Sequence, residues 1–278
     1  MHGSILLHSA KTMKNNNTCP HIVILGAGFG GVYTARRLAS LAKIGKIEVT
    51  IINQTNYFLF TPLLHEVATG GLSPLSAAEP LREVFRNSGV ELVQASVEMV
   101  NLEKKTVQTS TCIIEYDYLV IATGAKTNFY DMPSAEEHGL TLKDLSDAAR
   151  IRNRIIDVFE RAARLSDSDE RRRLLSFAVV GGGATGVEVS GELADFIFGT
   201  MSAYYGKSGL SPRTEASVTL IHRGRELLEQ FHPKLRKLAK IVLEKHGIRV
   251  LLEKTVSIVE DQSIELADGM KIDSSTTI

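Results

Sequence analysis

Two glycine-rich turns constrain the fold of this 278-residue chain more than any other feature. HIVILGAGFGGVYTARRL, residues 21–38, sets four glycines between an apolar run and an amphipathic one, and SFAVVGGGATGVEVSGEL, residues 176–193, repeats the arrangement. Each reads Gly-x-Gly-x-x-Gly: Gly26, Gly28 and Gly31 in the first copy, Gly181, Gly183 and Gly186 in the second. The runs at 22–25 and 177–180 are short, apolar and halted by glycine, which predicts buried parallel strands. After the first turn Val32, Ala35, Leu38, Ala39 and Ala42 share a helical face, and IEVTIIN at 47–53 predicts a second strand. The second turn leads into a helix over 187–198 and a strand over 218–221. Strand, turn, helix and strand within about 30 residues is the βαβ unit of a dinucleotide-binding fold.

The chemistry of such a turn is specific to its glycines. The first permits the tight bend, the second lets backbone approach a pyrophosphate, and the third lets helix and strand pack closely. The helix N-terminus then meets the anion with free N–H groups. Two such sites suggest a flavin and a nicotinamide nucleotide, and a chain that binds both is most simply an enzyme passing hydride between them. The adenosine ribose is commonly read by Asp or Glu at the end of the second strand. Here Asn53 ends the first copy, and its amide can still bond a ribose hydroxyl. His222 ends the second, followed by Arg223 and Arg225. An imidazole–guanidinium group would attract a 2′-phosphate that a carboxylate repels; the alternative is a pair of solvated arginines beside a site that takes NAD.

Composition narrows the class. Lys plus Arg equals Asp plus Glu at 32 each, so the formal charge is zero, unlike the basic excess of a nucleic-acid binder. The two cysteines, Cys19 and Cys112, are far apart. This argues against a disulfide framework or a cysteine metal site, leaves no metal expected, and fits a reducing cytoplasm. No apolar run reaches the length of about 18 residues that suggests a spanning helix, and the N-terminal stretch lacks the basic start of a signal peptide.

The remaining segments complete an α/β organisation. Residues 54–74 read as a functional loop and 91–125 as several short strands. Residues 142–175 read as a charged helical connection whose apolar stripe is Ala149, Ile151, Ile155, Ile156, Phe159 and Ala162. A helix over 234–246, capped by a left-handed Gly247, precedes a strand at 249–252 and a hairpin over 264–272 closed at Asp268-Gly269. The expected division is an extension without regular structure at 1–19, a first domain at 20–145, a helical connection at 146–175 and a second domain at 176–278.

Taken together, these residues resemble the pyridine-nucleotide flavoproteins with two Rossmann-like domains, most closely the type II NADH dehydrogenases. The likeness covers residues 20–278. It rests on GAGFGG at 26–31, NYFLFTPLLHEVATGGLSP at 56–74, YDYLVIATGA at 116–125 and GGGATGVEVSGEL at 181–193. The resemblance implies an α/β fold with the second Rossmann domain inserted in the first, the return segment of the first lying beyond residue 278. It implies that Gly26, Gly28, Gly30 and Gly31, with Phe29 among them, cradle the FAD diphosphate, and that Thr61, Pro62 and Leu63 lie near the isoalloxazine ring. Ala122, Thr123 and Gly124 would line the FAD site, and Gly181, Gly183 and Gly186 would sit under the NAD(P)H diphosphate. Glu188 would be the catalytic residue, near where nicotinamide and flavin stack, although a carboxylate in a first helical turn is also favoured by the dipole alone. His65 and Glu66 read as packing or hydrogen-bonding groups before proton carriers.

The implied activity is hydride transfer from NAD(P)H to FAD and onward transfer of electrons to a quinone. A ferredoxin- or rubredoxin-type carrier as acceptor, or a catalytically silent nucleotide-binding fragment, are the other readings. A redox CxxxxC, which disulfide reductases of related fold require, is absent from the sequence. Peripheral membrane contact on the cytoplasmic face is expected only through the segment that relatives carry beyond residue 278, and a homodimer is an expectation of the same kind.

Overall fold

In this computed structural model, residues 11–13 and 19–278 are described. Of the expected N-terminal extension, residues 1–10 and 14–18 lie outside the described residues, while Lys11–Met13 pairs in parallel with Cys112–Glu115. Contacts divide the chain into two units: residues up to Leu59 with Ala78–Lys126, and Phe60–Ala77 with Thr127–Ile278. The loop segment at 60–77 and the helical connection thus belong to the second unit.

The first unit is built on β1 (His21–Leu25), α1 (Phe29–Lys43), β2 (Glu48–Asn53) and β3 (Val90–Gln94). A three-stranded antiparallel meander follows, of β4 (Val97–Asn101), β5 (Thr106–Thr109) and β6 (Cys112–Glu115). The chain then returns as β7 (Tyr118–Ile121). The parallel sheet has the order β7-β1-β2-β3. Successive side chains on a strand point to opposite faces, so neighbours divide between two cores. Ile24 and Ile51 pack with Val32 and Ala35 of α1, whereas Val23, Leu25 and Ile52 pack with Val107, Ile114 and Tyr116 on the meander side.

The second unit repeats the construction. It contains α2 (Leu64–Thr69), α3 (Leu145–Ala162), β8 (Ser176–Val180), α4 (Ala184–Asp195), β9 (Ser217–Ile221), α5 (Pro233–Lys245) and β10 (Ile248–Leu251). A second meander, β11 (Val256–Val259), β12 (Ser263–Leu266) and β13 (Lys271–Asp273), precedes β14 (Thr276–Thr277). The sheet order is β14-β8-β9-β10, so the returning strand again lies beside the strand that leads into the glycine turn. The hairpin and the left-handed Gly247 (φ +83°) stand where the sequence put them.

Two helices depart from expectation. In α3 the buried row is Ala148, Ile151, Ile155, Val158, Phe159 and Ala162, while Ala149 is exposed and Ile156 half-buried. A helix turns about 100° per residue, so a row that begins at Ala148 leaves Ala149 on the flank. Asp144 caps this helix by accepting from the Asp147 N–H at 2.8 Å, and the buried Asp147 carboxylate accepts from the Lys143 N–H at 2.7 Å and the Thr141 hydroxyl at 3.0 Å. The Phe159 ring stacks on Phe177 of β8 at 6.3 Å, which makes α3 part of the second unit's core and not a linker. In α5 only Leu243 is buried, and Leu235, Leu238, Ile241 and Val242 face solvent. Among the described residues no helix is long and apolar enough to cross a membrane.

Because Phe159 is fully buried, Phe159→Ala should lower the unfolding free energy by about 3–5 kcal/mol, measured by urea denaturation. The exposed Ala149→Ser should shift it by less than about 0.5 kcal/mol.

Candidate functional site

The two glycine turns superimpose in their logic, residue for residue. Gly26 and Gly181 adopt φ +95° and +127°, backbone that L side chains rarely reach. Each donates its N–H to the end of the neighbouring strand, Gly26 to Ile52 O at 2.8 Å and Gly181 to Ile221 O at 2.9 Å. The third glycine closes the turn. A Cβ on Gly31 would stand 1.8 Å from the Gly26 carbonyl oxygen, and one on Gly186 would stand 1.9 Å from that of Gly181. The second glycine differs from both. Gly28 and Gly183 cap α1 and α4 in extended conformation, and a Cβ on either meets nothing within 4 Å among the described residues. The helix N-terminus is therefore reached over bare backbone, the fit a diphosphate needs.

In the first unit, the Ala122–Thr123 backbone packs on the first glycine: a Cβ at Gly26 would lie 2.4 Å from Ala122 O. Gly30 faces the Ala122 methyl, and Gly124 takes φ +72°. The structure thus brings Gly26, Gly30, Gly31 and Ala122 together at the head of β1. Phe29 sets its ring edge-on against Phe58, with centroids 5.2 Å apart. Asn53 has a different task from the expected one. Its Oδ1 accepts from the Ala27 N–H at 2.9 Å, and its Nδ2 donates to Thr55 O and Oγ1, both at 3.0 Å. An amide has two donors and two acceptor lone pairs, so only one lone pair is left over for a ribose hydroxyl. Thr61, Pro62 and Leu63 form a single 3-10 turn ahead of α2 within the second unit.

The second unit holds a cavity of about 610 Å³ against the Gly181–Gly186 turn, within the range of ligand sites. Thr185 lines it on the turn side, Phe129, Tyr130, Met132 and Leu140 line it on another, and Gln230, Val256 and Val259 complete it. Sequence reading missed Tyr130. Tyr130 and Asp131 both adopt left-handed backbone, at φ +52° and +58°; aspartate enters that region readily, whereas for tyrosine it is a strained state that the residue type does not announce. The Arg223 guanidinium lies 5.3 Å from the Tyr130 ring centroid, a cation–π contact. His222 is turned away from that pair, its Nδ1 accepting from the Gly182 N–H at 3.1 Å. The expected joint imidazole–guanidinium group is thus divided between the turn and the Tyr130 ring, and Arg225 pairs with Glu253 at 3.2 Å.

Glu188 is half-exposed on α4, beyond its first turn, so the helix dipole does not account for it. Its Oε2 stands 3.9 Å from Nδ1 of the mostly buried His65 on α2. Next to them the Thr69 hydroxyl reaches Glu192 at 3.5 Å. Glu66 opens α2 at its dipole-favoured end, and its carbonyl takes the Leu72 N–H at 3.2 Å.

Comparison with known proteins agrees with this geometry. The family model described as pyridine nucleotide-disulphide oxidoreductase matches residues 20–278. A probable NADH dehydrogenase of Dictyostelium discoideum is 36% identical over 260 residues, covering 90% of this chain and 56% of that protein. A type II NADH:quinone oxidoreductase of Mycobacterium tuberculosis is 32% identical, covering 89% of this chain and 53% of the relative. The structure of NDH2 from Plasmodium falciparum in complex with NADH is similar at a TM-score of 0.82 and 30% identity, covering 93% of this chain and 54% of that one. The chain spans about half the length of the curated relatives it matches.

The glycines separate folding from binding. Gly186→Ala should disrupt the turn and lower the melting temperature. Gly183→Ala, where a methyl group meets no described atom within 4 Å, should keep an unfolding free energy within about 0.5 kcal/mol of the parent by the same measurement.

Proposed function

The chain belongs to the pyridine nucleotide-disulphide oxidoreductase family, and from that premise we propose that it is the nucleotide-binding part of an FAD-dependent NAD(P)H:quinone oxidoreductase of type II. The observation that carries the reading is the pair of matching turns, each with an open second glycine at a helix N-terminus. The name of the Mycobacterium tuberculosis relative supplies the acceptor, a quinone.

In this reading Gly26–Gly31 and the N-terminus of α1 hold the FAD diphosphate, with Ala122, Thr123 and Gly124 closing over the turn. Gly181–Gly186 and the N-terminus of α4 hold that of the nicotinamide nucleotide, and the cavity beside them receives the rest of it. FAD, when bound, accepts hydride from the nicotinamide and gives up the electrons to the acceptor. The chain's own residues bind and orient. Glu188 is the carboxylate offered to the reacting end of the nucleotide, and His65 fixes its position from α2. Thr61, Pro62 and Leu63 supply rigid backbone for the flavin ring. A lipid-soluble acceptor implies peripheral attachment to a membrane, and a homodimer belongs to the same reading.

Purified protein should carry flavin absorbance and oxidise NADH faster with a short-chain quinone than with a small iron–sulfur protein. A folded protein without flavin, or one that prefers the iron–sulfur acceptor, would overturn the reading. Arg223, held over the ring of the cavity-lining Tyr130, is the group placed to attract a 2′-phosphate. Arg223→Ala should raise KM for NADPH about tenfold, the loss of one charge-assisted hydrogen bond, and leave KM for NADH near its parent value. Equal changes would remove the assignment.

A further inference from the structure

The strand-end residues, expected to read a ribose, share another geometry in both units. Ala27 and Gly182 occupy the same place in their turns, directly after the first glycine. The N–H of Ala27 goes to Asn53 Oδ1 at 2.9 Å, and that of Gly182 goes to His222 Nδ1 at 3.1 Å. One side-chain acceptor, delivered from the end of the second strand, pins each turn to its sheet. We propose that His222 is a positioning residue of the nicotinamide-nucleotide site, whose Nδ1 holds the diphosphate turn in its binding shape and releases it when the ring takes up a second proton. The proposal rests on the reading of that turn as the NAD(P)H turn.

The surroundings make the ring a fixed post. His222 is locked in the sheet by its own N–H to Leu251 O at 2.8 Å and by the Lys254 N–H to its carbonyl at 3.0 Å. Gly182 sits directly on the imidazole: a Cβ there would come within 2.6–2.7 Å of the ring and of Leu227. The Gly182 carbonyl is held in turn by the Leu228 N–H at 2.8 Å. An N–H donor requires a bare lone pair on Nδ1, so the ring proton resides on Nε2. Among the described residues that atom is buried without a hydrogen-bond partner, 3.9 Å from Glu229 Oε1.

A second proton on Nδ1 would set two donors against each other, and the turn would lose its anchor. Glu229 is the charged group that faces the ring. The other charges of the flanking segments are engaged elsewhere: Arg223 over Tyr130, Arg225 with Glu253, Glu226 with Arg236, and Lys254 with Asp268. Asn53 has no such proton to gain, so the two turns share a clamp that acid opens in only one of them.

The test uses the 278-residue protein with His222→Leu, which removes the acceptor, and His222→Asn, which keeps it in the form the first unit uses. At pH 8, His222→Leu should bind NADH about tenfold more weakly than the parent, and His222→Asn should recover most of the loss, as expected for one hydrogen bond to a binding turn. Between pH 8 and pH 5.5 the parent should lose affinity by about tenfold, and His222→Asn should stay within about twofold. The amide of Gly182, followed by NMR without nucleotide, should shift with the same midpoint in the parent and stay still in His222→Asn. Parent-like NADH binding by His222→Leu, or the same acid loss in His222→Asn, overturns the clamp. A parent that binds no NADH at any pH, while its Gly182 amide still titrates, overturns the nucleotide reading and leaves the clamp standing.

Discussion

Everything in each unit hangs on one contact, the bare Cα of the third glycine against the carbonyl oxygen of the first. At Gly31 and Gly186 there is no room for a methyl group. That approach brings the helix N-terminus to the head of the parallel sheet, and it forces the first glycine into left-handed backbone. It also leaves the middle glycine open among the described residues. The open ground where an anion can meet free N–H groups is thus a by-product of the tightest packing in the unit.

Around that contact the two units solve one problem twice. A parallel sheet has two apolar faces, and both must be covered. In each unit a helix covers one face and a three-stranded meander covers the other, and the chain comes back beside the first strand. The second unit adds α3, whose Phe159 extends the core through Phe177. Duplication of the whole unit, and not of the turn alone, accounts for the strand-end residues sharing a task despite their different chemistry. Asn53 and His222 both present an acceptor to a backbone N–H at the same step of the chain.

The difference between the units lies in what the side chains add. The first unit surrounds its turn with backbone and small residues, Ala122 among them. The second adds the cavity, the strained Tyr130 under Arg223, and the His65–Glu188 pair on α2 and α4. Those additions place aromatic and charged groups near the second glycine turn.

The sequence by itself determined the two βαβ units, because glycine spacing and apolar runs are local and each has one physical meaning. It also determined the hairpin at Asp268-Gly269 and the left-handed Gly247, where a positive φ demands glycine. The row of α3 was legible to within one residue, since periodicity alone does not say which flank meets the core. What Asn53 and His222 do was decided only by tertiary structure. Their acceptors find donors 26 and 40 residues away along the chain, and a side chain's partner is settled by which strands are neighbours. Tyr130 was invisible for the same reason: the guanidinium above its ring is there only once residues 130 and 223 are brought together. Local steric rules are written in residue types, whereas hydrogen-bond partners are written in the packing.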